Sequence, residues 1–205
     1  EALNYPFSAS WPDYYTPIAE LPEAGRELFG YDPDKARQLL AEAGYPDGFE
    51  FEVMFSSASP YHLDLIAMLE AYYQRVGISL IAVPLDYPTF RAKMREPDQT
   101  AGYLMNNSEG NPFSVLRKSF MSGQTWNPAF HADEWFDKAY NEAIVMRDKE
   151  ARDELLRNLN VYIIAERVPH VWLPTLAVYS AWWPYVKNYY GELRVGAVRP
   201  APVYA

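Results

Sequence analysis

Phe49-Glu50-Phe51-Glu52-Val53-Met54-Phe55, followed after a helical stretch by Gly77 and then Ile78-Ser79-Leu80-Ile81-Ala82-Val83-Pro84, decides how this chain folds. In the first run Phe49, Phe51, Val53 and Phe55 alternate with Glu50, Glu52 and Met54. That period of two belongs to a strand with one buried face. The second run is short and rich in Ile, Leu and Val. Between them Ser59-Pro60 opens a helix, Leu65, Leu69, Tyr72 and Val76 recur at helical spacing, and Gly77 stops it. Strand, long helix and strand make a β-α-β unit. The spacing therefore predicts parallel strands over 49–55 and 78–83, a right-handed crossover, and a helix over 61–76 packed on one face. The class is α/β, with a mixed sheet and flanking helices.

The same punctuation continues on both sides. Upstream, Asp32 is a helix cap, Pro33 fits the first helical position, Ala36, Leu39, Leu40 and Ala43 share a face, and Gly44 ends the helix. Tyr45-Pro46-Asp47-Gly48 is a turn. Downstream, Tyr87–Glu96 reads as a short helix and Ala101–Asn106 as a third strand. Asp133 caps a helix carrying Phe136, Ala139, Tyr140, Ala143 and Ile144; Asp148 caps another carrying Ala151, Leu155, Leu159, Tyr162 and Ile163. Pro169–Leu173 and Leu176–Trp182 read as short strands. Residues 1–30 hold Pro6, Pro12, Pro17 and Pro22 among aromatics without any period. They form an extended arm, expected to be poorly ordered or to dock on a neighbouring molecule. The organisation is thus an arm over 1–30, a lobe over 31–191 and a tail over 192–205.

Bulk properties exclude several function classes. The 205 residues are 49% hydrophobic and 22% charged, as in an ordinary globular chain. A net charge of -9, without any basic cluster, argues against nucleic acid. Cys is absent, so neither a disulfide nor a thiolate metal site exists. No apolar run approaches the ~20 residues of a membrane span. The first residues lack the basic start and apolar core of a leader, so an exported protein is expected to have lost its leader from this chain. Tyr (17) and Trp (6) together outnumber Phe (10), which suits surfaces that meet ligands or other lobes.

Motifs for phosphate, dinucleotide, zinc-protease or serine-hydrolase chemistry are missing. His62, His131 and His170 lie far apart in sequence, so no metal site is read from them. His62 reads as a surface or helix-start residue and His170 as a strand residue with a satisfied ring. Glu50 and Glu52 read as a solvated strand face, and Asp133, Glu134 and Asp137 as acids at a helix start, where negative charge is favourable. The best candidate for ligand contact is the end of the third strand with the polar segment after it: Tyr103, Leu104, Asn106, Asn107, Ser108 and Glu109. Open α/β sheets place binding groups after strands, and these side chains offer amides, a hydroxyl and a carboxylate.

The segment Tyr31-Asp32-Pro33-Asp34-Lys35-Ala36-Arg37-Gln38-Leu39-Leu40-Ala41-Glu42-Ala43-Gly44-Tyr45-Pro46-Asp47-Gly48 resembles the helix-and-turn signature of the bacterial solute-binding proteins for dipeptides, oligopeptides and nickel. Val76-Gly77-Ile78, Thr89-Phe90, Ala101-Gly102-Tyr103, Phe136-Asp137-Lys138, Arg147-Asp148, Val168-Pro169-His170-Val171-Trp172-Leu173-Pro174 and Val186-Lys187-Asn188-Tyr189 come next, in that family's order. The similarity spans about Tyr31 to Gly191. It implies one lobe, the carboxy-terminal one, of a two-lobed periplasmic-binding-protein type II-like architecture, with the amino-terminal lobe missing here. It further implies a small-molecule ligand held in an interlobe cleft that closes by a hinge, delivery to the membrane permease of an ABC importer, a periplasmic or lipid-anchored location, no cofactor and no enzymatic activity. Peptide-binding members place an Asp after the glycine-aromatic pair to hold the ligand's ammonium. Counted from Gly102-Tyr103, that place is Asn106 here, which points to a neutral solute such as a sugar or an opine-like compound. Glu109 is the nearest acid. An α/β hydrolase is the alternative from another class, but the sequence shows no nucleophile and base pair for it. A partner-binding module docking through its aromatic arm is the third reading.

Overall fold

The computed structural model describes residues 6, 7, 9, 11–96, 101–104, 111–173 and 182–188. Ala2–Leu173 forms one compact unit, and Pro174–Ala205 with Glu1 forms another.

Three parallel strands are described in the first unit: β1 (Glu50–Ser56), β2 (Ser79–Leu85) and β3 (Ala101–Leu104), in the order β2-β1-β3. The antiparallel member that a mixed sheet calls for is not among the described residues. The expected strand–helix–strand unit is present, with Val53 opposite Ala82 and Phe55 opposite Pro84 in β2, and Phe55 opposite Leu104 in β3. Alternation along β1 sends successive side chains to opposite faces. Val53 and Phe55 bury with Leu80, Leu104 and Ile66 under the helix Pro60–Gln74. Met54 turns the other way and buries with Phe90 and Met94, which belong to the helix Tyr87–Lys93 and its C-cap. The two crossover helices thus lie on opposite faces, as crossovers of one hand require when the chain steps to one side of β1 and then passes to the other. Of the helical face read from sequence, Leu65 and Leu69 pack on the sheet; Tyr73 packs there too, whereas Tyr72 is exposed against Tyr31. Glu50 and Glu52 are exposed, as a solvated strand face should be.

The amino ends of β1 and β2 are locked together. Gly48 (φ +77°) and Gly77 (φ +87°) meet back to back, and a Cβ on Gly48 would overlap the Gly77 carbonyl. Only glycine takes such a backbone without cost. Beside this contact the Ser79 amide donates to the Phe49 carbonyl at 2.8 Å.

Three later helices of this unit form a second cluster. Pro112–Phe120, Glu134–Val145 and Lys149–Tyr162 begin at Asn111, Asp133 and Asp148, each of which accepts backbone N–H groups of the first turn. The helix over 112–120 was not foreseen, because Asn111-Pro112 reads equally as a turn. Phe120, Phe136, Leu116, Leu156, Leu159 and Ile163 are fully buried there. Lys149–Tyr162 runs into a π turn, Ile163–Arg167, which ends at Val168 in a left-handed conformation (φ 44°). Two expectations fail here. Pro169–Leu173 is irregular rather than a strand: Pro169 has no N–H to give a ladder, and the left-handed Val168 redirects the chain. Leu176–Trp182 lies outside the described residues except for Trp182, which is irregular.

The arm also departs from expectation. Phe7 is fully buried in the helical cluster, with Trp11 and Tyr14 rings 5.7 Å from its own. Leu21 buries against Ile164 and Ala165, and Glu23–Glu27 forms a short helix. The Tyr14 hydroxyl donates to Asp153 at 3.1 Å, and Arg157 donates to the Asp13 carbonyl at 2.7 Å. The missing periodicity reflects prolines between anchors: each anchor fills its own gap, so no repeat is needed. Conversely, the helix Pro33–Glu42, amphipathic in sequence, has no buried residue, and Leu39 is half exposed.

In the second unit, Trp183 and Tyr185 stack with planes 8° apart, and Lys187 donates to the Pro184 carbonyl.

Candidate functional site

The strand order creates a site before any side chain is considered. From β1 the chain crosses to β2 on one side and then returns past β1 to β3 on the other. Open α/β sheets bind their ligands at such a switch point, which falls here between the carboxyl ends of β1 and β3.

On the β1 side of that switch point the chain is held by local hydrogen bonds. Ser57 donates through its amide (2.8 Å) and its hydroxyl (3.0 Å) to the Leu85 carbonyl, which ties the loop over the end of β2. The Ser56 hydroxyl accepts from the Ala58 amide at 3.3 Å. His62, in the first turn of the helix that begins at Pro60, is 4% exposed, and its Nδ1 lies 3.3 Å from the Ser56 carbonyl oxygen. The imidazole thus faces a backbone carbonyl and not the Ser56 hydroxyl, which is not the arrangement of a nucleophile and its base. Phe55 and Tyr61 stand edge-on to the ring, at 6.2 and 4.6 Å.

On the β3 side, Tyr103 and Leu104 point to opposite faces. Leu104 is buried beneath Pro60–Gln74, and the Tyr103 ring lies near Phe90 with its hydroxyl donating to the Lys93 carbonyl at 3.1 Å. These two residues frame the start of the candidate loop. Asn106, Asn107, Ser108 and Glu109 lie outside the described residues. His62, read from sequence as a surface or helix-start residue, does stand in the first turn of a helix but is buried.

Titratable groups with shifted properties lie elsewhere. Burial alone would raise the Asp133 pKa, but the Tyr162 hydroxyl, the Phe136 amide and the Arg167 guanidinium outweigh it and hold the carboxyl at about 2. Asp153 is likewise lowered: burial opposes, while Lys149, Tyr14 and Arg152 prevail. His170 is pushed down to about 4 by burial and then by His131. Its Nε2 has no partner among the described residues, contrary to the satisfied ring expected from sequence. No group of three or more metal-ligating side chains occurs among the described residues, and no described helix is long and apolar enough to cross a membrane.

Comparison with known proteins fits this geometry. The family model for bacterial extracellular solute-binding proteins, family 5 (middle section), matches residues 1–128. The chain belongs to this family. A heme-binding protein A of Haemophilus influenzae is 31% identical over 154 residues, which is 71% of this chain and 27% of that protein. A glutathione-binding protein of Salmonella typhimurium is 26% identical over 70% of this chain and 30% of its own length. The structure of HbpA2 from Haemophilus parasuis superposes with a TM-score of 0.67 over 84% of this chain and 34% of that one, at 24% identity. The Bacillus subtilis oligopeptide-binding protein AppA, solved with a nonapeptide, gives 0.68 over 84% and 36%, at 19% identity. The chain therefore spans about a third of the length of the relatives it matches. Its fold is that of type II periplasmic binding proteins.

Proposed function

We propose that this chain is part of the ligand-binding carboxy-terminal lobe of a solute-binding protein that serves an ABC importer. It works outside the cytoplasmic membrane, in the periplasm or on a lipid anchor, and hands a small solute to the membrane permease without chemical change. The observation that carries this reading is the switch point between β1 and β3, at whose end Tyr103 and Leu104 stand, in a chain of this family. Tyr103, Leu104, Asn106, Asn107, Ser108 and Glu109 supply one wall, and an amino-terminal lobe supplies the other.

The solute is peptide-like, or another neutral amide- or hydroxyl-bearing compound of the sugar or opine-like kind. Relatives named for glutathione and for peptides support the first. The neutral Asn106, Asn107 and Ser108, with Glu109 three residues on as the nearest acid, support recognition without an ion pair to a free amino terminus, because a buried ammonium needs a carboxylate or several strong acceptors. Calorimetry on the full-length protein tests this. The probes are glutathione, alanine di- to pentapeptides in free and amino-acetylated form, hemin and neutral oligosaccharides. Binding of a peptide or a sugar, with little loss on acetylation, is the expected result. Tight binding of free peptides that vanishes both on acetylation and in Asn106→Ala would overturn the loop assignment.

A further inference from the structure

Among the described residues β2 is an edge of the sheet, with β1 on one side of it and no strand on the other. Two hydrogen bonds fix which of its backbone groups look inward. The Ser79 amide donates to the Phe49 carbonyl, and the Leu85 carbonyl accepts from the Ser57 amide, each at 2.8 Å. Along a strand in a parallel ladder, alternate residues bond to the same neighbour. Ser79, Ile81, Val83 and Leu85 therefore turn their N–H and C=O groups to β1. Leu80, Ala82 and Pro84 turn theirs outward. Leu80 is buried, so the open stretch of the edge begins at Ala82; Ala82, Pro84 and the following Asp86 are all exposed. The strand itself carries no charged side chain. An open, neutral edge is a template for another strand.

We infer that Pro84 guards this edge against the β2 edge of a second copy of the chain. A two-fold axis brings two such edges together antiparallel, and each hydrogen-bonded pair then exchanges two N–H···O bonds. With Val83 on the axis, Ala82 of each copy faces Pro84 of the other. Pro84 has no N–H, and its ring carbon Cδ stands where that hydrogen would lie, aimed at the opposite Ala82 carbonyl. The axis repeats the obstruction, so two of the four bonds are missing and two rings press on the facing strand. Moving the axis to Pro84 sets the rings against each other. Moving it to Ala82 leaves a single free pair, because Pro84 then meets the buried Leu80. Every pairing that the open stretch allows thus runs into Pro84. The ladder within the sheet is untouched, since β1 takes nothing from the outward side. A proline at Ile81 or Val83 would have removed a donor that β1 uses.

The test uses the full-length protein, with sedimentation over a concentration series and amide hydrogen exchange read residue by residue. In the wild type the Ala82 amide should exchange far faster than those of Ile81 and Val83, which donate to β1, and no association through β2 should occur. Pro84→Val restores the missing donor and removes the ring. Its self-association should tighten by about tenfold or more, the worth of the two hydrogen bonds the axis regains, and its Ala82 amide should become protected in the dimer. Adding Ala82→Lys sets two like charges beside the axis and should return the variant to monomer. Pro84→Ala, which also restores the donor, takes the place of Pro84→Val if that variant does not fold. A folded Pro84 variant no more associated than the wild type overturns the inference. So do dimers that Ala82→Lys leaves intact, and so does a wild-type Ala82 amide as protected as that of Ile81, because the edge is then covered already.

Discussion

Replacing Asp133 by Asn deletes one charge and keeps the shape of the side chain. In the structure one carboxylate oxygen accepts the Phe136 amide at 3.0 Å and caps its helix. The other accepts the Tyr162 hydroxyl and the Arg167 Nε, each at 2.6 Å. The side chain is 3% exposed, whereas that of Arg167 is 51% exposed. Against an ordinary value of 3.8, a pKa of about 2 corresponds to about 2.4 kcal/mol at ~1.36 kcal/mol per unit. Screening at the exposed guanidinium trims this to about 2 kcal/mol. In the variant an amide N–H faces the Arg167 donors, so nothing replaces the loss. A carboxyl with a depressed folded pKa stabilises the fold above its unfolded pKa, near 4, and loses that contribution as pH falls towards 2. Denaturant titration of the full-length protein should therefore show Asp133→Asn about 2 kcal/mol less stable at pH 7, with the gap narrowing to below about 1 kcal/mol by pH 2.5. A gap that is constant with pH, or below ~0.5 kcal/mol at pH 7, would refute the electrostatic account.

Packing and burial set three further outcomes. Phe7→Ala should cost about 3 kcal/mol or more in the same titration, as deletion of a fully buried ring does; a neutral result would mean that the arm is not part of the core. Gly48→Ala should cost about 3 kcal/mol or more, because strain at positive φ adds to the overlap with Gly77, while Gly44→Ala, at positive φ in open space, should cost about 1. Equal costs would remove the close approach from the argument. His170 has a folded pKa of about 4, against 6.5 for the free side chain; the unfolded chain binds the proton first, so stability should fall as pH drops from about 6.5 to about 4, at up to ~1.4 kcal/mol per unit. His170→Phe, beside Phe120 and Trp172, should flatten that slope, and an unchanged slope would locate the acid sensitivity elsewhere.

What sequence could reveal divides along physical lines. Period and punctuation are local, so the β-α-β unit, its parallel pairing and the Asp32, Asp133 and Asp148 caps were all legible. Long-range burial is not local. Phe7 and Leu21 sit among prolines without any repeat, yet they fill gaps in the helical cluster and against the π turn. The amphipathic Pro33–Glu42 pattern promised a buried face that the described residues do not cover. The π turn left no mark in composition, and it moved the chain after Val168 off the path of a strand. At the candidate site Tyr103 and Leu104 were legible as the end of a strand. The burial of His62 was not, because it depends on how the helix from Pro60 packs at the end of β1.

The glycine contact at the amino ends of β1 and β2 divides labour across the sheet. Gly48 and Gly77 leave no slack, and the Phe49–Ser79 hydrogen bond beside them sets which residue of β2 faces which residue of β1. Adding or removing a single residue on that rim would turn every later side chain of the strand to the wrong face. Nothing comparable joins β1 to β3 at the opposite rim among the described residues. Length and chemistry can change there without disturbing the pairing behind it. The register is fixed before the chain reaches the carboxyl end of β3, so residues beyond that end can vary without shifting the strands against one another.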